Sequence, residues 1–403
     1  MPEPTLGALS VEAARGRMLA GIGPKGVETA TLADALGRTL AEAVIAGRDQ
    51  PPFDASAMDG YAVRGGSDLA AGFRVIGESA AGRPFAGDVM AGEAVRIFTG
   101  ALVPEGCLVL VQERARRDGQ RVSFEAHAPN PAFVRPRGGD FKAGRTLIEA
   151  GVRLDPWRLA LVASAGCAAV KLAPRPRVAL LTTGEEIVRP GGEIAAGQIF
   201  DTAGPALSAL VAGWGGLAHA LDPLKDNEDA IAAAVQGCGG DLIVTVGGAS
   251  VGEHDLVKPA LRRLGLTLAV DTVRLRPGKP TWFGRLEDGR SVLGLPGNPA
   301  SALVCAQLFL RPLLMAWQGA ETALPMATAR LAASLPPVGP REHWMRARLG
   351  ASADGAVTAT PFSDQDSSLV TVFAEADGLI RRPAGAGAAE PGDPVDVLRL
   401  SRL

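Results

Sequence analysis

The chain has 403 residues, 47% of them hydrophobic and 21% charged, with a net charge of −2. That length predicts two to four domains of roughly 100–200 residues each. The composition belongs to a folded globular enzyme rather than a disordered chain, and the near-zero charge excludes a bulk electrostatic footprint for nucleic acid.

Four cysteines, Cys107, Cys167, Cys238 and Cys305, lie far apart, and His127, His219, His254 and His343 fall singly. There is no CxxC pair, so a zinc finger or ribbon is not indicated. Isolated cysteines predict reduced thiols and a cytoplasmic setting. The first stretch, MPEPTLGALSVEAARGRM, lacks the apolar core of a secretory signal. No membrane span is expected, because LALVASAGCAAV is short and SALVCAQLFL stops at Arg311-Pro312.

The chain opens with helical patterning. Ser10 caps a predicted helix over VEAARGRMLAGI, and Thr31 a second over LADALGRTLAEAV, where Leu32, Ala35, Leu36 and Leu40 make one apolar stripe. From Pro51 to about Phe133 the texture changes to short β-like runs between Gly, Pro and Asp turns: FRVIGES, AVRIFTG, CLVLVQE and RVSFEA. This predicts a compact β module. It begins with PPFDASAMDGYAVR, which holds Asp54 and Asp59; Asp54 is expected to close a turn through its own backbone. Pro156-Trp157 then opens a helix, so the β module reads as an insertion into a helical unit.

From Pro174 to about Gln318 strands and helices alternate. RVALLTTG, GLAHALDPL, DLIVTVGGAS and SVLGLPG read as strands. GPALSALVAGWG, NEDAIAAAVQGCG, DLVKPALRRLG and PASALVCAQLFLRPLLMAW read as helices, with caps at Asp226 or Asn227, at Asp255 and at Asn298. Continuous apolar strands of this kind predict a parallel sheet covered on both faces, with ligands outside the carboxyl ends of its strands. The remainder, about 325–403, returns to β patterning in TARLAASL, WMRARLGA, GAVTATP, DGLIRRP and DPVDVLRL, which fits a small β domain or barrel.

The sharpest chemical signals are the strand ends TTGEEI, VGGASVGEHD and LPGNPAS. Each places glycine where a backbone must approach an oxyanion and where helix N–H groups face it. Singly, each is an ordinary capped turn. Three in one domain, with Arg276 and Lys279 in LRPGKP, point to a phosphate-bearing ligand. Glu186, Asp226 and Asp255 fall in the same loops and read as Mg²⁺ ligands, since Mg²⁺ takes one or two carboxylates plus substrate phosphates. Capping alone would explain Asp226 and Asp255, but not Glu185-Glu186. His254 has no sequence partner that would make it an acid or base. No nucleophile elbow surrounds Ser250 or Ser301.

In order along the chain, PPFDASAMDGYAVR, IFTGALVPEG, RPRGGDFKAG, TTGEEI, QIFDTAG, VGGASVGEHD, RPGKP and GLPGNPASA resemble the motif series of the MoeA family, the molybdopterin molybdenumtransferases, to which the gephyrin E domain is related. The resemblance covers about residues 10 to 400. It implies an α/β multidomain chain with a helical elongated unit (1–48 and 136–174) and an inserted β module (49–135). A MogA-like three-layer α/β/α domain with a parallel-rich sheet (175–322) and a small C-terminal β-barrel domain (323–403) follow. It implies a homodimer that inserts molybdenum from molybdate into adenylylated molybdopterin and releases AMP, with Mg²⁺. A MogA-like adenylating protein and molybdoenzyme-maturation factors are the implied partners, without nucleic acid or membrane.

The resemblance places the functional acids and threonine at Asp59, Thr99, Glu186 and Asp255, with metal contacts at Asp59, Glu186, Asp226 and Asp255. It places substrate contacts at Gly247, Gly248, Ser250, Gly252, Arg276, Lys279, Pro296, Gly297, Asn298, Ser301 and Ser367. Arg276 stands where the family carries Lys, and Thr272 at a second such place. Asp366 and Ser368 replace two glycines around Ser367. These departures motivate a second reading, a divergent paralogue that binds molybdopterin as a non-catalytic scaffold. In the family's dimer cleft, Asp59 would face the MogA-like domain of the other subunit.

Overall fold

A computed structural model of the chain describes residues 7–125, 130–248 and 256–400. Ser10 accepts from the Ala13 amide and starts α1 (Val11–Leu19), as its sequence predicts. α1 buries Val11, Ala14 and Met18 in the core of the later α/β domain. The helix expected after Thr31 does not form. The segment instead runs through β1 (Glu28–Thr31), one 3₁₀ turn at Leu32–Asp34, and β2 (Val44–Ile45). Gly37 turns the chain at φ +71°, and Thr39 and Leu40 bridge to Arg153 and Leu172. Tertiary strand pairing therefore outweighs a helical stripe whose intrinsic preference is weak.

The inserted module holds β3 (Ala55–Ser56), β4 (Gly60–Arg64), β5 (Phe73–Ser79), β6 (Glu93–Ile97), β7 (Cys107–Val111), β8 (Ala115–Asp118) and β9 (Arg121–Phe124). Six of these form one sheet in the order β7-β4-β6-β5-β9-β8. The chain returns through β10 (Val134–Arg135), which pairs with β3, and β11 (Thr146–Ile148), which pairs with β2. α2 (Pro156–Ser164) is capped by Asp155, and β12 (Ala169–Leu172) pairs with β1. The flanking unit thus owes as much to paired strands as to its two helices.

The α/β domain runs β13 (Arg177–Thr182), β14 (Ile187–Val188), β15 (Ile199–Phe200), α3 (Ala203–Gly213), β16 (Leu217–Ala220), α4 (Glu228–Gly237), β17 (Leu242–Val246), α5 (Val257–Arg262), β18 (Thr267–Val270), β19 (Leu275–Arg276), β20 (Trp282–Arg285), β21 (Ser291–Leu295), α6 (Pro299–Cys305) and α7 (Arg311–Trp317). The sheet order is β16-β13-β17-β21-β20-β18. The first four strands are parallel, as their apolar runs predict; β20 and β18 add an antiparallel edge that the sequence reading did not contain. α3 and the α6–α7 run bury one face, α4 and α5 the other. A π-turn, Ala306–Leu310, joins α6 to α7. Among the described residues this run, Pro299–Trp317, is one helix long and apolar enough to cross a membrane, but 78% of its apolar window is buried in the fold.

The C-terminal domain contains β22 (Met326–Leu331), β23 (Glu342–Ala351), β24 (Val357–Pro361), α8 (Val370–Glu375), β25 (Gly378–Arg382) and β26 (Pro394–Arg399). All five predicted strands are present. The sheet runs β23-β24-β22-β26-β25 and closes through β23–β25 into a small barrel, which removes its free edges. β19 adds to β23 in parallel, pairing Leu275 with Glu342 and Arg276 with His343. This pairing stitches the α/β domain to the barrel next to the basic turn.

Candidate active site

The carboxyl ends of the parallel strands open on a cavity of about 930 Å³. Thr182 and Thr183 close β13, Gly247 and Gly248 follow β17, and Pro296, Gly297 and Asn298 follow β21; all line it. Gly247 is at φ +94°, and a Cβ there would lie 2.4 Å from the Thr183 carbonyl oxygen. Gly297 packs its Cα face on Gly247 in turn. A side chain at Gly247 would push the β13 and β17 ends apart, so this glycine holds two of the cavity's backbone walls together.

Glu186 and Asp226 also line this cavity. Gly184 lets the Glu186 carboxylate fold back over its turn, because a Cβ there would sit 2.6 Å from Glu186 Oε2. Asn227, not Asp226, caps α4: its Oδ1 accepts from the Ala230 amide at 2.9 Å. Asp226 is thereby separated from the capping role. Ser250, Gly252, His254 and Asp255 lie outside the described residues. Among the described residues no three His, Cys, Asp or Glu side chains gather as a metal cluster. Two carboxylates on one cavity nevertheless suit Mg²⁺, which completes its shell with substrate phosphate and water.

The sequence reading missed several lining residues. Asp201 is nearly buried; its Oδ1 accepts from the Ala203 and Gly204 amides, and its Oδ2 accepts from the Thr182 hydroxyl at 3.2 Å. Ile199 and Phe200 leave apolar surface exposed on the rim, held beside Ile187 by the β14–β15 pair. The motif QIFDTAG was visible, but nothing in its spacing separates a rim residue from a turn residue.

A second cavity, of about 1010 Å³, lies between the α/β domain and the barrel and shares Lys279 and Pro280 with the first. Arg276, Lys279, Arg341 and Arg382 line it against the carboxylates Asp364 and Asp366, leaving two formal positive charges. Ser301 and Ser367 line it too. Asn298 stands at the start of α6 but does not cap it through its side chain; its Nδ2 donates to Ser367 Oγ at 2.8 Å. The backbone of Ser367 accepts from the Ala300 amide at 3.0 Å. Arg346, fully buried, donates to Gln365 Oε1 and to the Asp366 carbonyl, and so holds the loop carrying Ser367. Beneath the basic turn, Thr281 donates to the Gly278 carbonyl at 2.8 Å. A Cβ on Gly278 would strike Cys305 Sγ at 2.3 Å.

Asp59 and Thr99 meet in the β module. Asp59 Oδ1 accepts from the Thr99 amide at 2.8 Å. That backbone hydrogen bond, helped by the Thr99 hydroxyl and Arg96, holds the Asp59 carboxyl below the ordinary 3.8 despite some desolvation. Gly60 is required beside it, since a Cβ would sit 2.0 Å from the Leu110 carbonyl oxygen. Asp54 does not close its own turn; its carboxylate accepts from the Arg137 amide at 2.7 Å, tying the module to the returning chain. Neither Asp59 nor Thr99 lines either cavity of the same chain.

The chain matches three family models in succession: the MoeA N-terminal region (domain I and II) at residues 9–166, a probable molybdopterin binding domain at 179–316, and the MoeA C-terminal region (domain IV) at 328–400. It is similar to the molybdopterin molybdenumtransferase of Haemophilus influenzae, 35% identical over 98% of this chain and 99% of that one. This chain belongs to the MoeA family. The Bacillus subtilis molybdopterin molybdenumtransferase is 31% identical over 93% of this MoeA-family chain and 90% of its own. A crystal structure of a molybdopterin biosynthesis MoeA protein from Pyrococcus horikosii superposes with a TM-score of 0.81 at 30% identity, covering 98% of this chain and 100% of that one. The fold expected from the motif series is therefore the fold of this MoeA-family member.

Proposed function

We infer that the protein is a molybdopterin molybdenumtransferase of molybdenum cofactor biosynthesis, which inserts molybdenum from molybdate into adenylylated molybdopterin and releases AMP. The observation that carries this reading is the pair of cavities joined at Lys279. The first offers Gly-rich strand ends, hydroxyls and two carboxylates for the phosphate-linked pterin, with Ile199 and Phe200 as an apolar rim on which a flat ring can lie. The second leaves two formal positive charges, which match a tetrahedral oxyanion such as molybdate. Lys279 faces both and neutralises charge where the two substrates meet.

Glu186 and Asp226 would hold Mg²⁺, which supplies charge compensation as the phosphoanhydride is cleaved. Arg276 and Lys279 bind anionic oxygens, and Ser367 is oriented for the same cavity by Asn298. Asp59 and Thr99 would complete the site from the partner subunit of a homodimer, because they line neither cavity of their own chain. The four free thiols fit a reducing, cytoplasmic compartment in which a MogA-like adenylating protein supplies the substrate.

The test is AMP release from adenylylated molybdopterin with Mg²⁺ and molybdate. The wild-type protein is expected to release AMP, and Lys279→Ala to slow release by about a hundredfold, the cost of removing one charge-stabilising group. Tight substrate binding by the wild-type protein without AMP would instead support the non-catalytic scaffold, which no observation in the structure favours.

A further inference from the structure

His343 sits in the middle of a row of arginines. On β23 it lies directly opposite Arg276 of β19 and directly opposite Arg382 of β25. Directly paired residues share a sheet face with their Cβ atoms about 5 Å apart, and like charges so placed repel. All three residues line the oxyanion cavity, as does Arg341, just before β23. The row has no acidic member. Glu342 turns to the other face, where it accepts from Trp344 Nε1 and Arg381. Asp364 and Asp366, which line the same cavity from the facing loop, accept from the amides of Asp366 and Ser368. Arg382 is nearly buried and its Nε has no partner.

We propose that His343 takes up a proton from solvent when a doubly charged oxyanion enters this cavity, so that capture of molybdate is coupled to protonation of the imidazole. This rests on the oxyanion reading of the cavity given above. In the free protein, burial first, then Arg276, Arg346, Arg341 and Arg382, push the ring pKa down to about 4. A neutral ring offers one donor, whereas an imidazolium offers two. A dianion among the arginines reverses the local field and favours the charged ring, which then adds a donor beside the unpartnered Arg382 Nε. Molybdate carries only acceptors, so an added donor in this row matches it.

The experiment is titration calorimetry of the full-length protein with micromolar molybdate near neutral pH, in two buffers of different ionisation heat. Wild type is expected to take up a substantial fraction of one proton per molybdate, approaching roughly one as pH falls. His343→Gln is expected to bind molybdate with that uptake lost. Wild-type affinity falls by up to about tenfold per pH unit between the free-state and the bound-state pKa and levels off on the alkaline side of the latter. Imidazole NMR of the wild-type protein, with His343 assigned by its absence in the variant, should show the ring's titration moving upward on saturation. Molybdate binding with no proton uptake and an unmoved His343 titration overturns the proposal while leaving the cavity reading intact. Binding that Lys279→Ala and Arg276→Ala leave unchanged places the anion elsewhere and removes both.

Discussion

Asp54 and Asp59 are two acids of one motif, separated only by what each carboxylate accepts. Asp54 takes the Arg137 amide and serves the fold; Asp59 takes the Thr99 amide and joins two residues that the family resemblance had marked separately. A carboxyl lowered by a native hydrogen bond stabilises the fold above its unfolded value, and that contribution is lost as pH falls through the depressed folded value. For Asp59 that window lies below 3.8. AMP release is therefore expected to show no titration limb from Asp59 above pH 3.8. Asp59→Asn keeps an oxygen for the Thr99 amide but removes the charge. It should leave the melting temperature near wild type and reduce AMP release about a hundredfold. Full activity in the variant would remove the role assigned to Asp59. The type of residue was legible in the motif, but its partner was not, because the Thr99 amide lies 40 positions away.

At the element scale, the start of α4 divides one ambiguous dipeptide into two roles. Asn227 caps the helix, and Asp226 lines the cavity. Asn227→Ala should cost about 1 kcal/mol of stability, the usual value of an N-cap, with AMP release nearly unchanged. Asp226→Ala should act on the reaction instead: a higher Mg²⁺ concentration is required for half-maximal rate. Reversal of the two outcomes would exchange the assignments. The long apolar helix and the parallel strands were readable because burial on both sides leaves a continuous hydrophobic run. The helix expected at Leu32–Val44 was not, because Thr39 and Leu40 bridge to Arg153 and Leu172 and Leu36 of the apolar stripe is left exposed. The antiparallel edge of β18 and β20 escaped for a related reason: short strands carry little period, and the pairing of β20 with β21 and of β18 with β20 supplies what their sequence lacks.

At the scale of the molecule, the proposed site is divided between the β module and the α/β domain, and one chain does not bring its parts together. Co-expression of Asp59→Ala and Glu186→Ala chains tests this directly. Each variant alone is expected to be inactive, while random mixing into two-fold dimers should restore about a quarter of wild-type AMP release, one intact site in half of the dimers. No recovery in verified mixed dimers would place both acids in sites within one chain. By itself, the sequence determined the multidomain α/β class, the parallel strands of its sheet and the strand ends that carry glycine. Those features are local: turn chemistry and apolar periodicity are written within a few residues of where they act. Only the tertiary structure decided that Asn298 reaches Ser367, that Lys279 stands between two cavities, and that His343 lies between Arg276 and Arg382. Each of these depends on the barrel docking against the α/β domain through the β19–β23 pair. The register of that pair is set by backbone hydrogen bonds and packing across distant segments, which no spacing along the chain encodes.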